Sequence, residues 1–331
     1  MQALAAIRCL GQTGTVTGNE AAVDRLRPRR RIAGHAALLL PHTPDGSVDW
    51  ASFEELLDRT HRAGLIPAVN MDTGFTQLLD ASTRADVLGV TAEVAGPGFL
   101  AGAFVPDARG DSFAPDAYAR AMAEVVDAGG VPVVFPSHGL NALDPDGWVD
   151  AHRGFAKGCD RFVAFELGDM FVEYGRIYPL DTYRGLLGVA ECVGAKHSSL
   201  SRAAEWNRLA LRDVIRPSFQ VLTGNDLAID LVCWGSDYLL GLATFAPDAF
   251  ARRDAYWADG DDRFYELNDV LQALGAFAFR APVPAYRHDA AMFLALRGMI
   301  AHDAVPAGCP RRGDADRDVL AAFAARLDAL S

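Results

Sequence analysis

Lysine is almost missing from this chain. Of 31 basic residues only two, Lys157 and Lys196, are lysines, and arginine serves everywhere else. Positive charge is also in the minority: the formal net charge over 331 residues is −12. A chain this acidic argues against nucleic acid or an anionic membrane surface as partner. The one basic run, Arg27-Pro28-Arg29-Arg30-Arg31, therefore reads as a solvated lead-in. No apolar stretch approaches the ~20 residues that a membrane-spanning helix needs. The cysteines Cys9, Cys159, Cys192, Cys233 and Cys309 are scattered, odd in number and form no CxxC pair. That excludes a disulfide framework or a structural zinc site and suits a reducing cytoplasm, with Cys192 and Cys233 as small buried hydrophobes. No small-residue cleavage site follows the N-terminal Met1–Leu10 stretch, so no signal peptide is expected. HxH and HxxxH metal-ligand spacings are missing as well.

What is present is a regular alternation. Half of the residues are hydrophobic, enough for a full-sized core. From Ala36 onward, short apolar runs alternate with helical periodicity. The runs 36–40, 65–69, 99–105, 131–135, 161–165, 192–195, 219–222 and 238–242 read as strands, each ending at a turn or a polar cluster. Strands this short and this uniformly apolar are expected where both sheet faces are covered. Eight such units predict an α/β protein with a (β/α)8 TIM barrel over 34–248. A lead-in over 1–33 and a C-terminal helical extension over 249–331 flank it. A doubly wound sheet is the runner-up, but no GxGxxG turn follows the first strand.

In such a barrel the chemistry lies at the C-terminal strand ends. Those ends carry Asp72, Thr73, Ser137, His138, Glu166, Asp169, Lys196, His197, Asn225 and Asp226. Lys196 closes the apolar segment Cys192-Val193-Gly194-Ala195. Burial lowers the pKa of an amine, and a neutral amine can attack a carbonyl to form an imine. The bland alternative is a lysine that pairs with Glu166 or Asp72. Lys157, beside Gly158 near a helix end, is merely a convenient cation. His197 directly follows Lys196, and strand alternation turns it to the opposite face.

Five segments in order resemble the dihydrodipicolinate synthase / N-acetylneuraminate lyase family of class I aldolases. They are Gly34–Asp49 (GHAALLLPHTPDGSVD), Met71-Asp72-Thr73-Gly74-Phe75, Gly194-Ala195-Lys196-His197-Ser198-Ser199, Leu222-Thr223-Gly224-Asn225-Asp226 and Gly241–Pro247. The resemblance implies that Lys196 is the Schiff-base nucleophile and that no metal or organic cofactor is used. It also implies assembly as dimers or tetramers. Two departures stand out. Where the family carries a proton-relaying tyrosine, this chain has Phe165-Glu166-Leu167-Gly168, so Glu166 is expected to shuttle protons, with Tyr174 or Tyr178 as substitutes. Where the family has a Thr-Thr pair for the substrate carboxylate, only Thr73 remains, next to Asp72. An ionised aspartate repels a carboxylate, which favours a keto sugar over a keto acid.

The expectation is therefore a cytoplasmic lyase, an aldolase or dehydratase acting on a small keto acid or keto sugar in carbohydrate catabolism. Lys196 and Glu166 are its catalytic residues, and Asp72, Thr73, Ser137, His138, Asn225 and Asp226 line the substrate. Two alternatives remain open at this point. One is a metal-dependent sugar isomerase or epimerase using His138, Glu166, Asp169 and Asp226. The other is a sugar-binding barrel without catalysis.

Overall fold

The computed structural model describes residues 24–330; Cys9 and the greater part of the lead-in lie outside the described residues. Eight parallel strands form a closed barrel in which each pairs with its sequence neighbour and β1 with β8. They are β1 (Gly34–Ala37), β2 (Ile66–Val69), β3 (Leu100–Ala103), β4 (Val131–Val134), β5 (Phe162–Leu167), β6 (Cys192–Ser198), β7 (Gln220–Thr223) and β8 (Asp237–Leu240). The expected fold class is the observed one.

Helices cover the outside: α1 (Trp50–Arg62), α2 (Ala81–Ala95), α3 (Pro115–Asp127), α4 (Pro145–Phe155), α5 (Leu180–Leu187), α6 (Arg202–Ile215) and α7 (Pro247–Asp259). Their starts follow from local chemistry. Asp49, Asp80, Asp144 and Ser201 each accept a backbone N–H in the first turn of α1, α2, α4 and α6. Prolines open α3, α4 and α7, where a missing N–H costs nothing. Between β7 and β8 the connection is a 3-10 segment, Ile229–Trp234, stopped by Gly235 at φ +103°.

Alternation along the strands splits the core in two. Ala37, Ala68, Val133, Phe165, Leu222 and Leu239 belong to the lumen cluster. The intervening residues, such as Phe162, Ala164 and Ala195, pack outward against helices. Helix α7 falls almost wholly within the extension expected over 249–331, which further comprises α8 (Arg263–Ala278), α9 (Tyr286–Leu296) and α10 (Asp316–Ala329). Leu267, Leu271 and Leu274 of α8 and Phe293 of α9 share one continuous core with Leu38 and Phe53 of the barrel units and Phe250 of α7. The sequence pattern places the α9 helix over 288–301; it begins two residues earlier and stops before Gly298, whose φ is +64°. That earlier start matters below, because it adds Tyr286.

One expectation about the lead-in is corrected. Arg30 is not a solvated residue. Its guanidinium donates to the Ser236 carbonyl at 2.7 Å and pairs with Asp237 at 2.5 Å, across the N-terminal end of the barrel. Asp237 opens β8 at the barrel floor and draws the arginine in. Among the described residues no helix is long and apolar enough to cross a membrane.

Candidate active site at the C-terminal end of the barrel

Lys196 is the sixth strand's contribution, and it is 3% exposed. In register with Phe165 on β5 and Leu222 on β7, it points into the lumen. Its ammonium lies 4.5 Å from the centre of the Phe165 ring. Glycine makes room for it: a Cβ on Gly224 would come within 2.9 Å of Lys196 Cε and 2.1 Å of Ser198 Oγ. Burial pulls the Lys196 pKa down, opposed by the charges of Asp72 and Asp226. Lys157 is exposed at the end of α4.

Asp72 opens a 3-10 turn, Asp72–Gly74, that follows β2. Its Oδ1 lies 3.7 Å from Lys196 Nζ, and the pair is almost fully buried. Asp72 therefore faces the lysine. Asp226 is also buried; its Oδ1 accepts the Leu242 N–H at 2.8 Å. Burial pushes the Asp226 carboxyl up to about 7, against the pull of the Leu242 N–H and the Lys196 charge. Two carboxyl groups thus act on one amine. Thr73 is fully buried, and its Oγ1 meets the phenol of Tyr286 at 2.8 Å. Asn225 is fully buried too, and neither its Oδ1 nor its Nδ2 has a hydrogen-bond partner in the protein.

The loops after β3 and β4 are tied together. The backbone N–H groups of His138 and Gly139 donate to the two carboxylate oxygens of Asp107 at 2.9 and 2.8 Å. Ser137 is buried and caps the short helical turn His138–Asn141 through Leu140 N, at 3.2 Å. The His138 ring lies 4.5 Å from the Tyr174 ring, with Nε2 3.5 Å from Glu173. Burial, together with the negative charges of Asp107, Asp72 and Glu173, raises the Tyr174 pKa. Tyr174 therefore lies within the field of Asp72. Tyr178 does not serve the same end: its phenol donates to Asn141 and its ring packs 3.9 Å from Trp148.

Glu166 is the expectation that the structure overturns. It pairs in register with His197, one residue out of phase with the Phe165–Lys196 pair. Both therefore point outward, away from the lumen. Glu166 accepts from Arg208 Nε and Nη2 at 2.6 Å, from His197 Nδ1 at 2.8 Å and from the Tyr178 N–H at 3.0 Å. Burial by itself would raise its pKa; the Arg208 charge and the His197 contact prevail and hold it at about 2. A carboxylate with every lone pair engaged, on the far side of the sheet from Lys196, is a structural anchor. The position beside the lysine belongs to Phe165, which carries no proton. The metal-ligand set fails with it, since Glu166 faces outward and Asp169 is exposed. Among the described residues no group of three or more His, Cys, Asp or Glu is gathered as a metal site.

Sequence reasoning missed Tyr286. It comes from α9, in the extension, and donates to Asp72 Oδ2 at 3.0 Å. Nothing local to residue 286 signals this. It also missed Arg208, because nothing in the sequence marks which residue of β5 lies in register with His197.

No family model matches the sequence, and no curated protein matches it. Solved structures do match in fold. The dihydrodipicolinate synthase of Thermotoga maritima superposes with a TM-score of 0.76 at 17% identity, over 91% of this chain and 99% of that one. That of Rhodopseudomonas palustris gives 0.75 at 19% identity, over 91% and 99%. The chloride-inhibited dihydrodipicolinate synthase of Acinetobacter baumannii, complexed with pyruvate, gives 0.73 at 18% identity, over 90% and 99%. At these identities it is architecture that is shared, and the chain has the fold of the dihydrodipicolinate synthases.

Proposed function

We propose that this chain is a Schiff-base-forming lyase whose nucleophile is Lys196 and whose substrate is a small hydroxylated carbonyl compound, a keto sugar in preference to a keto acid. The observation that carries the reading is the lysine itself. It is buried at the C-terminal end of a barrel strand with its pKa lowered. The fold it shares with dihydrodipicolinate synthases supports the same class of chemistry by analogy. The neutral amine adds to the carbonyl carbon, and the resulting carbinolamine loses water to give a protonated imine. That imine accepts the electron pair released when a neighbouring carbon–carbon bond breaks (aldol cleavage) or when a proton leaves the adjacent carbon ahead of dehydration.

Asp72 beside the amine favours a neutral substrate, because a carboxylate there repels a second carboxylate at close range. With Glu166 committed to Arg208, the groups suited to substrate hydroxyls are His138, Tyr174 and Asn225. Cytoplasmic location, use in carbohydrate breakdown and assembly as a homo-oligomer belong to the same proposal. Among the described residues the four cysteines Cys159, Cys192, Cys233 and Cys309 are free, which agrees with a reducing compartment.

The test is borohydride trapping with dihydroxyacetone and with pyruvate, read by peptide mass spectrometry. An adduct on the peptide carrying residue 196, lost in Lys196→Ala, supports the reading. An adduct elsewhere, or a Lys196→Ala protein that still turns over a substrate cleaved by the wild type, overturns it.

A further inference from the structure

The start of α9 clamps one residue of the site from two sides. The Tyr286 phenol donates to Asp72 Oδ2 at 3.0 Å, and Arg287 Nη1 donates to the Asp72 carbonyl at 3.2 Å. The Arg287 guanidinium also lies 5.0 Å from the centre of the neighbouring Phe75 ring. Tyr286 is itself held: its ring stacks on Phe279 with centroids 4.3 Å apart, and its oxygen meets Thr73 Oγ1 at 2.8 Å. Its single proton goes to Asp72, so Thr73 is the donor in the second contact. The chain of donation runs from Thr73 through Tyr286 to Asp72 Oδ2. Gly241 leaves space for it, since a Cβ there would meet the Tyr286 ring at 3.0 Å and Thr73 Oγ1 at 3.3 Å.

With Oδ2 fixed in this way, Asp72 Oδ1 is left buried, without a hydrogen bond, and 3.7 Å from Lys196 Nζ. Resting on the Schiff-base reading above, we propose that Asp72 is the proton carrier of imine formation at Lys196, and that Tyr286 of the C-terminal extension is the positioning residue that aims it.

The protons balance. Asp72 carboxylate takes one from the Lys196 ammonium, and the freed amine forms the carbon–nitrogen bond while the carbonyl π pair moves to oxygen. Asp72 returns its proton to that oxygen and takes another from the new nitrogen. It then gives that proton to the hydroxyl, which leaves as water as the nitrogen lone pair closes the double bond. Carbonyl and ammonium become protonated imine and water, with Asp72 restored as carboxylate.

The two lysines of the chain make a direct test possible. Reductive methylation with formaldehyde and cyanoborohydride requires imine formation at each amine, and peptide mass spectrometry reads Lys196 against exposed Lys157 in the same sample. At about neutral pH, Asp72→Asn has opposite consequences under the two readings. If Asp72 only lends its charge, removing it lets more of Lys196 be neutral and labelling speeds up. If Asp72 carries protons, labelling of Lys196 slows by roughly 10-fold or more, with Lys157 unchanged. Tyr286→Phe is expected to slow Lys196 by about 3- to 10-fold, and the double variant to be no slower than Asp72→Asn alone. Thr73→Val, which removes the donor to the Tyr286 oxygen, should slow labelling only while Asp72 is present.

Faster labelling in Asp72→Asn, or a Tyr286→Phe effect that multiplies fully in the double variant, overturns the proposal and leaves Lys196 as nucleophile. A wild-type protein in which Lys157 is methylated and Lys196 is not overturns the Schiff-base reading itself.

Discussion

At the scale of single residues, the lesson is that a strand end has two faces. Glu166 and Lys196 close neighbouring strands and look in sequence like an acid beside a nucleophile. The register pairs Glu166 with His197 instead and puts Phe165 beside the lysine. Glu166→Gln is therefore a stability variant. It places a donor amide against the buried Arg208 guanidinium, which is 3% exposed, and an unmatched buried cation typically costs about 3–5 kcal/mol. The pH dependence has a definite sign. Glu166 is depressed to about 2 from the ordinary 4.5, so its contribution is complete above 4.5 and disappears as pH falls toward 2. Denaturant unfolding should show Glu166→Gln weakened at neutral pH and less sensitive than the wild type to acid. Formaldehyde labelling of Lys196 below the melting temperature should stay close to the wild-type rate. Loss of that labelling in a folded variant returns Glu166 to the site. The alternation rule needed to place Glu166 was legible; the partner strand's register, which decides the parity, was not.

At the scale of elements, α6 shows why some of the architecture was readable and some was not. The barrel could be read because eight apolar runs, each followed by helical periodicity, admit few arrangements. The inner face of α6 could not, because three charged residues are buried on it beside Leu209 and Leu211. Glu205, Arg208 and Arg212 are buried, at spacings of three and four that a sequence reader assigns to solvent. Arg208 reaches Glu166 on β5, Arg212 reaches the Phe219 and Gly235 carbonyls, and Glu205 accepts from Thr223 at 2.8 Å and Ser236 at 2.6 Å. Helical periodicity marks the burial of apolar side chains and carries no mark for buried polar ones whose partners are distant in sequence. Burial pushes the Glu205 carboxyl up to about 8 against the two hydroxyl donors. Between the ordinary 4.5 and about 8 the folded chain binds more protons there than the unfolded one, so stability falls as pH rises through that window. Glu205→Gln removes the titration. Its melting temperature should change less than the wild type's between about pH 4.5 and 8, and each kcal/mol recovered is worth roughly 2–4 °C. Calorimetry across that range checks it; parallel wild-type and variant curves would show that Glu205 is ionised throughout.

At the scale of the whole molecule, charge and connectivity act together on the site. The residue that orients Asp72 arrives 214 positions later in the chain, which no local pattern can announce. The extension is thus continuous with the barrel in its core and also in its candidate chemistry. The net charge of −12 adds a long-range term to the local one. Asp72 and Asp226 sit beside the amine, and Asp107 and Glu173 bear on Tyr174. An anionic carbonyl compound therefore approaches against the field of the molecule. Salt shortens the reach of that field to about 10 Å at ~0.1 M. Raising ionic strength from ~0.01 to ~0.1 M should accelerate pyruvate adduct formation at Lys196 several-fold and leave dihydroxyacetone unaffected, as measured by borohydride trapping at low carbonyl concentration. The contrast between the two compounds is the informative part, because a salt effect on the fold or on the lysine would move both. If added salt instead slows pyruvate alone, the mouth of the barrel holds a cation that receives the carboxylate, and the preference for a neutral keto sugar falls.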